Sequence, residues 1–371
     1  MSTRDPRSLL RLPEDIEPYP AEPSDEALAA SLGIPLEDLV RFDMNTLGGG
    51  PLPAVSAALA AFDAGRLVEY GDQAYRALRA AIHRVSHAPE HRIIPGAGAD
   101  ELIRLVTTMV VGDGDAVVVP TPTFAMFAVE ARLAGARVVE VPRADPAVRQ
   151  PVTVIRDAAE RSASRLVWLC SPNNPTGDAY TLDEMSRLAD GLDAIVVVDA
   201  VYQEFAEADA GLDPEALSPQ PLQERLPNLL ILRSLAKAYG LAGARIGYLL
   251  VPDALAARFE AARLPLAISG ASEAVAIAAL SDPGAARSRR SEIVAQRRRL
   301  AGALEGLGWQ VLPSTTNFLL VRPPDAAAVA ADLLRGGLAV REYPSGLLRG
   351  WLRITARAAH ENDRLLEALG A

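Results

Sequence analysis

Asn228-Leu229-Leu230-Ile231-Leu232-Arg233-Ser234-Leu235-Ala236-Lys237 carries an apolar run into a hydroxyl and a lysine. Eight residues after the lysine, Arg245-Ile246-Gly247-Tyr248-Leu249-Leu250-Val251 opens a second apolar run. Both runs read as buried strands, and a Gly-containing turn (Gly240, Gly243) lies between them. A lysine at the exit of an apolar strand has little reason to be a core residue. Burial disfavours its charged form and makes the amine a better nucleophile toward an aldehyde. Ser234 and Arg245 can meet a phosphate from two sides. Alone, a Ser-x-x-Lys motif matches by chance more often than by function, and Lys237 then reads as a solvated loop lysine. The rest of the chain must decide.

Outward from this stretch, short continuous apolar runs alternate with helical patterns from residue 92 to residue 251. The strands are expected at 93–94, 116–119, 137–141, 165–169, 194–198, 229–232 and 246–251, with helices between them. Strands that are apolar throughout, rather than on alternate residues, predict a mostly parallel sheet covered by helices on both faces. After Val251 helices dominate to Leu307. Strand-like pieces return at 309–312, 317–321 and 351–355, which reads as a smaller α+β unit. The expected organisation is an N-terminal arm with part of the small domain (1–45), a large domain (46–255) and a small C-terminal domain (256–371).

Composition narrows the function class. The chain has 371 residues, half of them hydrophobic, and a net charge of −10, which argues against a general nucleic-acid binder. No apolar run reaches membrane-spanning length, and the charged, Pro-rich first residues read as an arm rather than a signal segment. The one cysteine, Cys170, fits a reducing cytoplasm and reads as a buried, inert thiol. His83, His87 and His91 are spaced to share a helix face. Without Cys or acidic ligands nearby they read as surface residues, and no metal is expected.

Further chemistry-bearing residues fall where strands are expected to end, the place where open α/β sheets bind ligands. Gly96-Ala97-Gly98-Ala99-Asp100 opens a helix whose N-terminus suits a phosphate. Phe124, after the next strand, either lies against a heteroaromatic ring or starts a helix core. Ser171-Pro172-Asn173-Asn174-Pro175-Thr176-Gly177 is a constrained turn that aims asparagine side chains. Asp199 ends the run Ile195-Val196-Val197-Val198, with Tyr202 three residues on. A buried carboxylate needs a partner, and a protonated pyridine nitrogen is one. Arg353 stands inside the apolar run Trp351-Leu352-Arg353-Ile354-Thr355, where it reads either as a carboxylate grip or as half of an internal ion pair. Pyridoxal 5'-phosphate satisfies these groups together.

In this order and spacing, Asn174-Pro175-Thr176-Gly177, Asp199 with Tyr202, Ser234-x-x-Lys237, Arg245 and Arg353 resemble the fold-type I, aspartate-aminotransferase-like superfamily of pyridoxal-phosphate enzymes. The resemblance covers nearly the whole chain. It implies that Lys237 is the Schiff-base lysine and proton shuttle, and that Asp199 meets the pyridine nitrogen. It also implies that Asn174 and Tyr202 hold the ring oxygen, that Phe124 stacks on the ring, and that Ala99, Asp100, Ser234 and Arg245 hold the phosphate. Tyr70 is implied to reach the phosphate of a neighbouring subunit, which makes the enzyme a homodimer with shared active sites.

Glu17-Pro18-Tyr19-Pro20, Gly98-Ala99-Asp100-Glu101-Leu102-Ile103 and Leu241-Ala242-Gly243-Ala244-Arg245 are most similar to histidinol-phosphate aminotransferases. That similarity implies substrate contacts at Tyr19, Asn45, Asn174 and Arg353. The chain departs from the family's usual Asn-Glu-Asn-Pro at Asn45-Thr46-Leu47-Gly48, and from its Pro-Tyr-Asn at Pro265-Leu266-Ala267. Ala236 stands where many members have Ser. The implied activity is transamination between an amino donor, histidinol phosphate or a related amine, and a 2-oxo acid such as 2-oxoglutarate. The alternatives are a decarboxylase or lyase on the same cofactor, resembling threonine-phosphate decarboxylase, and a scaffold that has lost catalysis. Neither nucleic acid nor membrane is an expected partner.

Overall fold

The structure is a computed structural model and describes residues 22–371. Its centre is a seven-stranded sheet, built from β2 (Ile93–Gly96), β3 (Ala116–Thr121), β4 (Arg137–Pro142), β5 (Leu166–Cys170), β6 (Ile195–Asp199), β7 (Leu229–Ser234) and β8 (Gly247–Leu250). The short β1 (Val40–Arg41) precedes them in the chain. The spatial order is β2-β8-β7-β6-β5-β3-β4. Strands β3 to β7 are parallel and β8 is antiparallel to both of its neighbours, so the mostly parallel sheet of the sequence reading stands with one reversal. The reason is local. The link from β7 to β8 carries Lys237 but no crossover helix, and a short link can only return the chain antiparallel.

Residues of β6 alternate between two cores. Val196 and Val198 pack with Val167, Leu169, Leu229 and Ile231 on one face. Val197 packs with Leu166, Trp168, Leu230 and Leu232 on the other. Burial on both faces explains why these strands read as unbroken apolar runs. Register aligns Cys170 with Asp199 and Asp199 with Leu232, so the exits of β5, β6 and β7 lie side by side.

A four-stranded antiparallel sheet has the order β12 (Arg341–Tyr343), β13 (Trp351–Thr355), β10 (Phe318–Arg322), β9 (Gln310–Val311). Separately, β1 pairs with β11 (Leu338–Ala339), which joins the start of the described chain to its last third.

One helix is added to the sequence reading and two expectations are corrected. The helix Val152–Ser162 has no counterpart in the sequence reading, although Val152, Ile155 and Ala159 bury one face of it. The helix that follows Phe124 begins only at Met126. His83, His87 and His91 do not share a helix face: the helix Arg76–Ser86 ends before His87, which turns left-handed at φ 58, and His91 lies in a separate 3₁₀ turn.

One buried ion cluster ties two site-bearing segments together. Arg233, 1% exposed at the end of β7, pairs with Glu204 at 2.9 Å and Glu215 at 3.0 Å. Glu204 lies two residues after Tyr202, in the helix Gln203–Ala210. Removing one partner of such a pair leaves a buried charge uncompensated and costs about 3–5 kcal/mol. Among the described residues no helix is long and apolar enough to cross a membrane.

Candidate active site

A cavity of about 790 Å³ opens between the exits of β5, β6 and β7 and the face of the small sheet. Lys237 enters it from the β7 exit. Its Nζ lies 3.5 Å from the carbonyl oxygen of Met44. Burial, joined by the positive charges of Arg353 and Arg245, lowers its pKa to about 8. At neutral pH a useful fraction of the amine is therefore unprotonated.

Asp199 closes β6 and is 3% exposed. Its Oδ1 accepts a hydrogen bond from the Val201 amide at 3.2 Å, and the Cys170 Sγ lies 3.9 Å from Oδ2. Burial raises its pKa to about 7. Among the described residues no cation forms an ion pair with it, which is an expensive way to keep a carboxylate. Tyr202 is also buried, and burial raises the pKa of its phenol. Its hydroxyl accepts from Asn45 Nδ2 at 3.0 Å, and its ring meets Phe318 edge-on at 5.3 Å. Asn45 is thereby brought to the cavity, with its side chain turned to Tyr202.

The phosphate-type end is built by close backbone approach. The helix Ala99–Val110 offers N–H groups at Ala99 and Asp100 that have no intrahelical acceptor. A Cβ on Gly98 would come within 2.8 Å of Arg245 Nη2, and one on Gly247 within 3.1 Å of the Ala99 nitrogen. Only glycine lets β8 and this turn meet. Arg245, left-handed at φ 54, pairs with Asp100 at 2.8 Å. Ser234 Oγ accepts from the Ala236 amide at 3.2 Å and faces the same space.

Phe124 lines the cavity and also packs against the core behind it. It meets Phe127 edge-on at 5.8 Å, and Phe127 stacks on Trp168 at 4.6 Å. Asn173 stiffens the neighbouring turn by accepting from Thr123 Oγ1 at 2.8 Å and donating to Thr176 Oγ1 at 2.7 Å. Asn174 instead points across the cavity, where its Oδ1 accepts from Arg353 Nη1 at 2.7 Å. Arg353 Nη2 donates to the Asp43 carbonyl, and its Nε is buried without a partner.

Tyr70, implied to reach a neighbouring subunit's phosphate, is 88% exposed and does not line this chain's own cavity. Tyr19 lies outside the described residues. The glycine loop at 48–50 is also outside the lining. Arg289 Nη1 donates to the Gly48 and Gly50 carbonyls at 2.8 and 3.1 Å, which holds the loop against the long helix Pro283–Gly306. Lining residues without a sequence signal include Arg341 and Tyr343 of β12, and Glu22. Arg341 stands directly opposite Arg353 in the β12–β13 register, so two guanidinium groups share one wall.

These groups fit pyridoxal 5'-phosphate. An amine faces a site for an aldehyde. Helix N–H groups, a hydroxyl and a guanidinium converge where a phosphate would lie. A flat aromatic side chain lines the wall, and a buried carboxylate lacks a cation. The fold and this donor set define a pyridoxal-phosphate enzyme of the aspartate-aminotransferase-like class.

The family model for aminotransferase class I and II matches residues 37–371. The chain is 37% identical over 363 residues to a histidinol-phosphate aminotransferase of Roseiflexus castenholzii, covering 95% of each protein. It is 40% identical over 310 residues to one from Xanthomonas campestris pv. campestris, covering 81% of this chain and 83% of that protein. The crystal structure of histidinol-phosphate aminotransferase from Sinorhizobium meliloti in complex with pyridoxal-5'-phosphate superposes with a TM-score of 0.84 at 30% identity, covering 94% of each chain. The chain belongs to the class I and II aminotransferases and is a pyridoxal-phosphate-dependent transaminase.

Proposed function

We propose that this transaminase takes histidinol phosphate, or a closely related phosphorylated amine, as its amino donor and 2-oxoglutarate as its acceptor. The observation that carries the reading is the pair of guanidinium groups, Arg341 and Arg353, on adjacent strands of one cavity wall. Like charges directly opposite in a sheet repel, so the wall calls for negative charge, which Glu22 lends to Arg341 without ligand and a doubly charged ligand would bring to both guanidinium groups. A phosphate monoester brings about two such charges at neutral pH, and 2-oxoglutarate brings two carboxylates. Both half-reactions therefore present the same total charge to the same wall. Relatives of 37% and 40% identity bear the name histidinol-phosphate aminotransferase.

Bound pyridoxal phosphate supplies an aldehyde for the donor's amine and a cationic ring that draws electrons from its α-carbon. The chain's residues do the rest. Lys237 holds the aldehyde in the resting enzyme. Once displaced, its amine is placed to move the proton at the donor's α-carbon, and a pKa near neutrality suits that task. Asp199 would keep the ring nitrogen charged. Tyr202 and Asn174 would meet the ring oxygen, and Phe124 would cover the ring. Ala99, Asp100, Ser234 and Arg245 would hold the phosphate. Arg353 grips a carboxylate or phosphate oxygen, oriented by Asn174.

The reading includes a homodimer. Tyr70, Val68, Leu67 and Leu264 are exposed hydrophobics, and a second copy covering them would give Tyr70 a neighbouring site to enter. We divide the chain as an arm at 1–45, a cofactor domain at 46–255 and a small domain at 256–371. The large sheet falls wholly within the second span, and the pairing of β1 with β11 joins the first to the third.

The test compares kcat/KM for histidinol phosphate with that for histidinol, which lacks the phosphate. A loss of about 10- to 10²-fold without the phosphate is expected from leaving charge-assisted hydrogen bonds to two half-buried guanidinium groups unmade. Equal values for the two amines would remove the substrate assignment and leave the transaminase.

A further inference from the structure

We propose that Glu22 is the internal counter-ion of Arg341, and that it sets how strongly the site selects ligands bearing a second negative charge. The inference rests on the reading of Arg341 as the reader of that charge.

Glu22 and Arg341 form an ion pair at the cavity mouth, and both line the cavity. The Glu22 and Arg341 side chains are 30% and 34% exposed, with Glu22 as a whole an exposed residue. Among the described residues Arg341 has no other ion-pair or hydrogen-bond partner, whereas Arg353 opposite it is engaged by Asn174 and by the Asp43 carbonyl. Without a ligand the wall would otherwise hold an unpaired guanidinium beside a second one. Glu22 supplies the missing carboxylate.

Its position is held rather than incidental. Arg41 Nη1 donates to the Pro23 carbonyl at 3.1 Å and to Asp25 at 2.8 Å, which fixes the backbone next to Glu22. The same Arg41 grips Asp43 through both carboxylate oxygens, at 2.8 and 2.9 Å. The Asp43 carbonyl in turn accepts from Arg353. The counter-ion is therefore tethered to the wall it neutralises, and little conformational freedom is lost when the pair closes.

The consequence follows from competition. A ligand that brings a second anion must displace Glu22, and its apparent affinity falls by the fraction of time the pair is closed. Every displacing anion is weakened by the same factor, whether phosphate or carboxylate. A donor with one carboxylate and an apolar side chain leaves the pair in place and meets a neutral wall beside Tyr343, Leu347 and Leu348. Glu22 thus moderates the preference for doubly charged ligands and lets singly charged ones enter.

The experiment uses the holoenzyme at saturating cofactor and constant ionic strength, with inorganic phosphate as a competitor of the amino donor. Glu22→Gln keeps the shape and removes the charge. It should tighten phosphate inhibition, and lower KM for histidinol phosphate, by about two- to fivefold, as expected for a partly exposed pair. KM for leucine should rise, because an unpaired guanidinium then faces its side chain. An inhibition constant for phosphate equal in parent and Glu22→Gln would overturn the proposal. Arg341→Gln separates the two readings. If it abolishes phosphate inhibition while Glu22→Gln changes nothing, the counter-ion role alone fails. If phosphate still inhibits Arg341→Gln as it does the parent, the anion-reading role of Arg341 fails and the counter-ion role falls with it.

Discussion

The two walls of the cavity are built differently. The cofactor wall hangs on β5, β6 and β7, whose residues are buried on both faces, and it places Asp199, Ser234 and Lys237 at strand ends. The substrate wall hangs on the three-residue β12 and its neighbour β13, and partly exposed Arg341 and Glu22 stand at its mouth. The ends of rigid central strands suit atoms that must sit in one geometry in every cycle. A small sheet with partly exposed charges suits a surface that meets two different substrates in turn. On this account, substitutions in the first wall act on turnover and on the cofactor's spectrum. Those in the second act on KM and on substrate choice.

The sharpest break of that comparison comes at Lys237. Lys237→Ala should lower kcat by roughly 10⁵-fold or more, the scale of losing a covalent nucleophile, and should abolish the absorbance that depends on its bond to the cofactor. Asp199→Asn keeps the shape and removes the charge. Loss of one preorganised electrostatic partner predicts a fall of about 10³-fold in kcat, with KM changed far less. Arg353→Lys keeps a charge but loses the planar fork. Steady-state kinetics should show kcat/KM down by about 10²-fold, mostly through KM. A variant of either Asp199 or Arg353 that behaved like the other would dissolve the distinction between the walls.

A smaller effect concerns stability without cofactor. The folded Asp199 carboxyl titrates at about 7, against roughly 3.9 when unfolded. Between those values the folded chain holds a proton that the unfolded chain has lost, so this group's contribution to stability falls as pH rises from about 4 to 7. Lys237 works the other way. Its folded value of about 8 lies below the unfolded value of roughly 10.4, so its contribution rises with pH across that window. The melting temperature of cofactor-free Asp199→Asn should therefore decline less steeply from pH 4 to 7 than that of the parent. Equal slopes would mean that the buried carboxylate finds a cation within the chain.

The walls also differ in how legible they are from sequence. Asp199 and Lys237 stand out because each ends an unbroken apolar run, where a charged residue is unexpected. Arg353 stands out because it interrupts one. Arg341 does not: β12 is three residues long, and Arg341-Glu342 beside a proline looks like any surface turn. Glu22 meets Arg341 across 319 positions, a separation that no local pattern encodes. Phe124 reads equally as ring or core in the sequence, and its contact with Phe127, itself stacked on the distant Trp168, is an arrangement that no local pattern encodes. The antiparallel turn of β8 was hidden because an apolar run carries no direction. Its direction follows instead from the lack of a crossover α-helix between Lys237 and Gly247, where only the 3₁₀ turn Ala242–Ala244 stands.

The most direct test of the account is the absorbance spectrum of the purified, cofactor-loaded protein. It should be recorded in the parent and in Lys237→Ala, before and after histidinol phosphate, and then after 2-oxoglutarate. The account predicts a band near the visible edge in the parent that is missing from Lys237→Ala, bleached by histidinol phosphate and restored by 2-oxoglutarate. The same band in Lys237→Ala, or none in cofactor-loaded parent, would contradict the placement of the chemistry on Lys237.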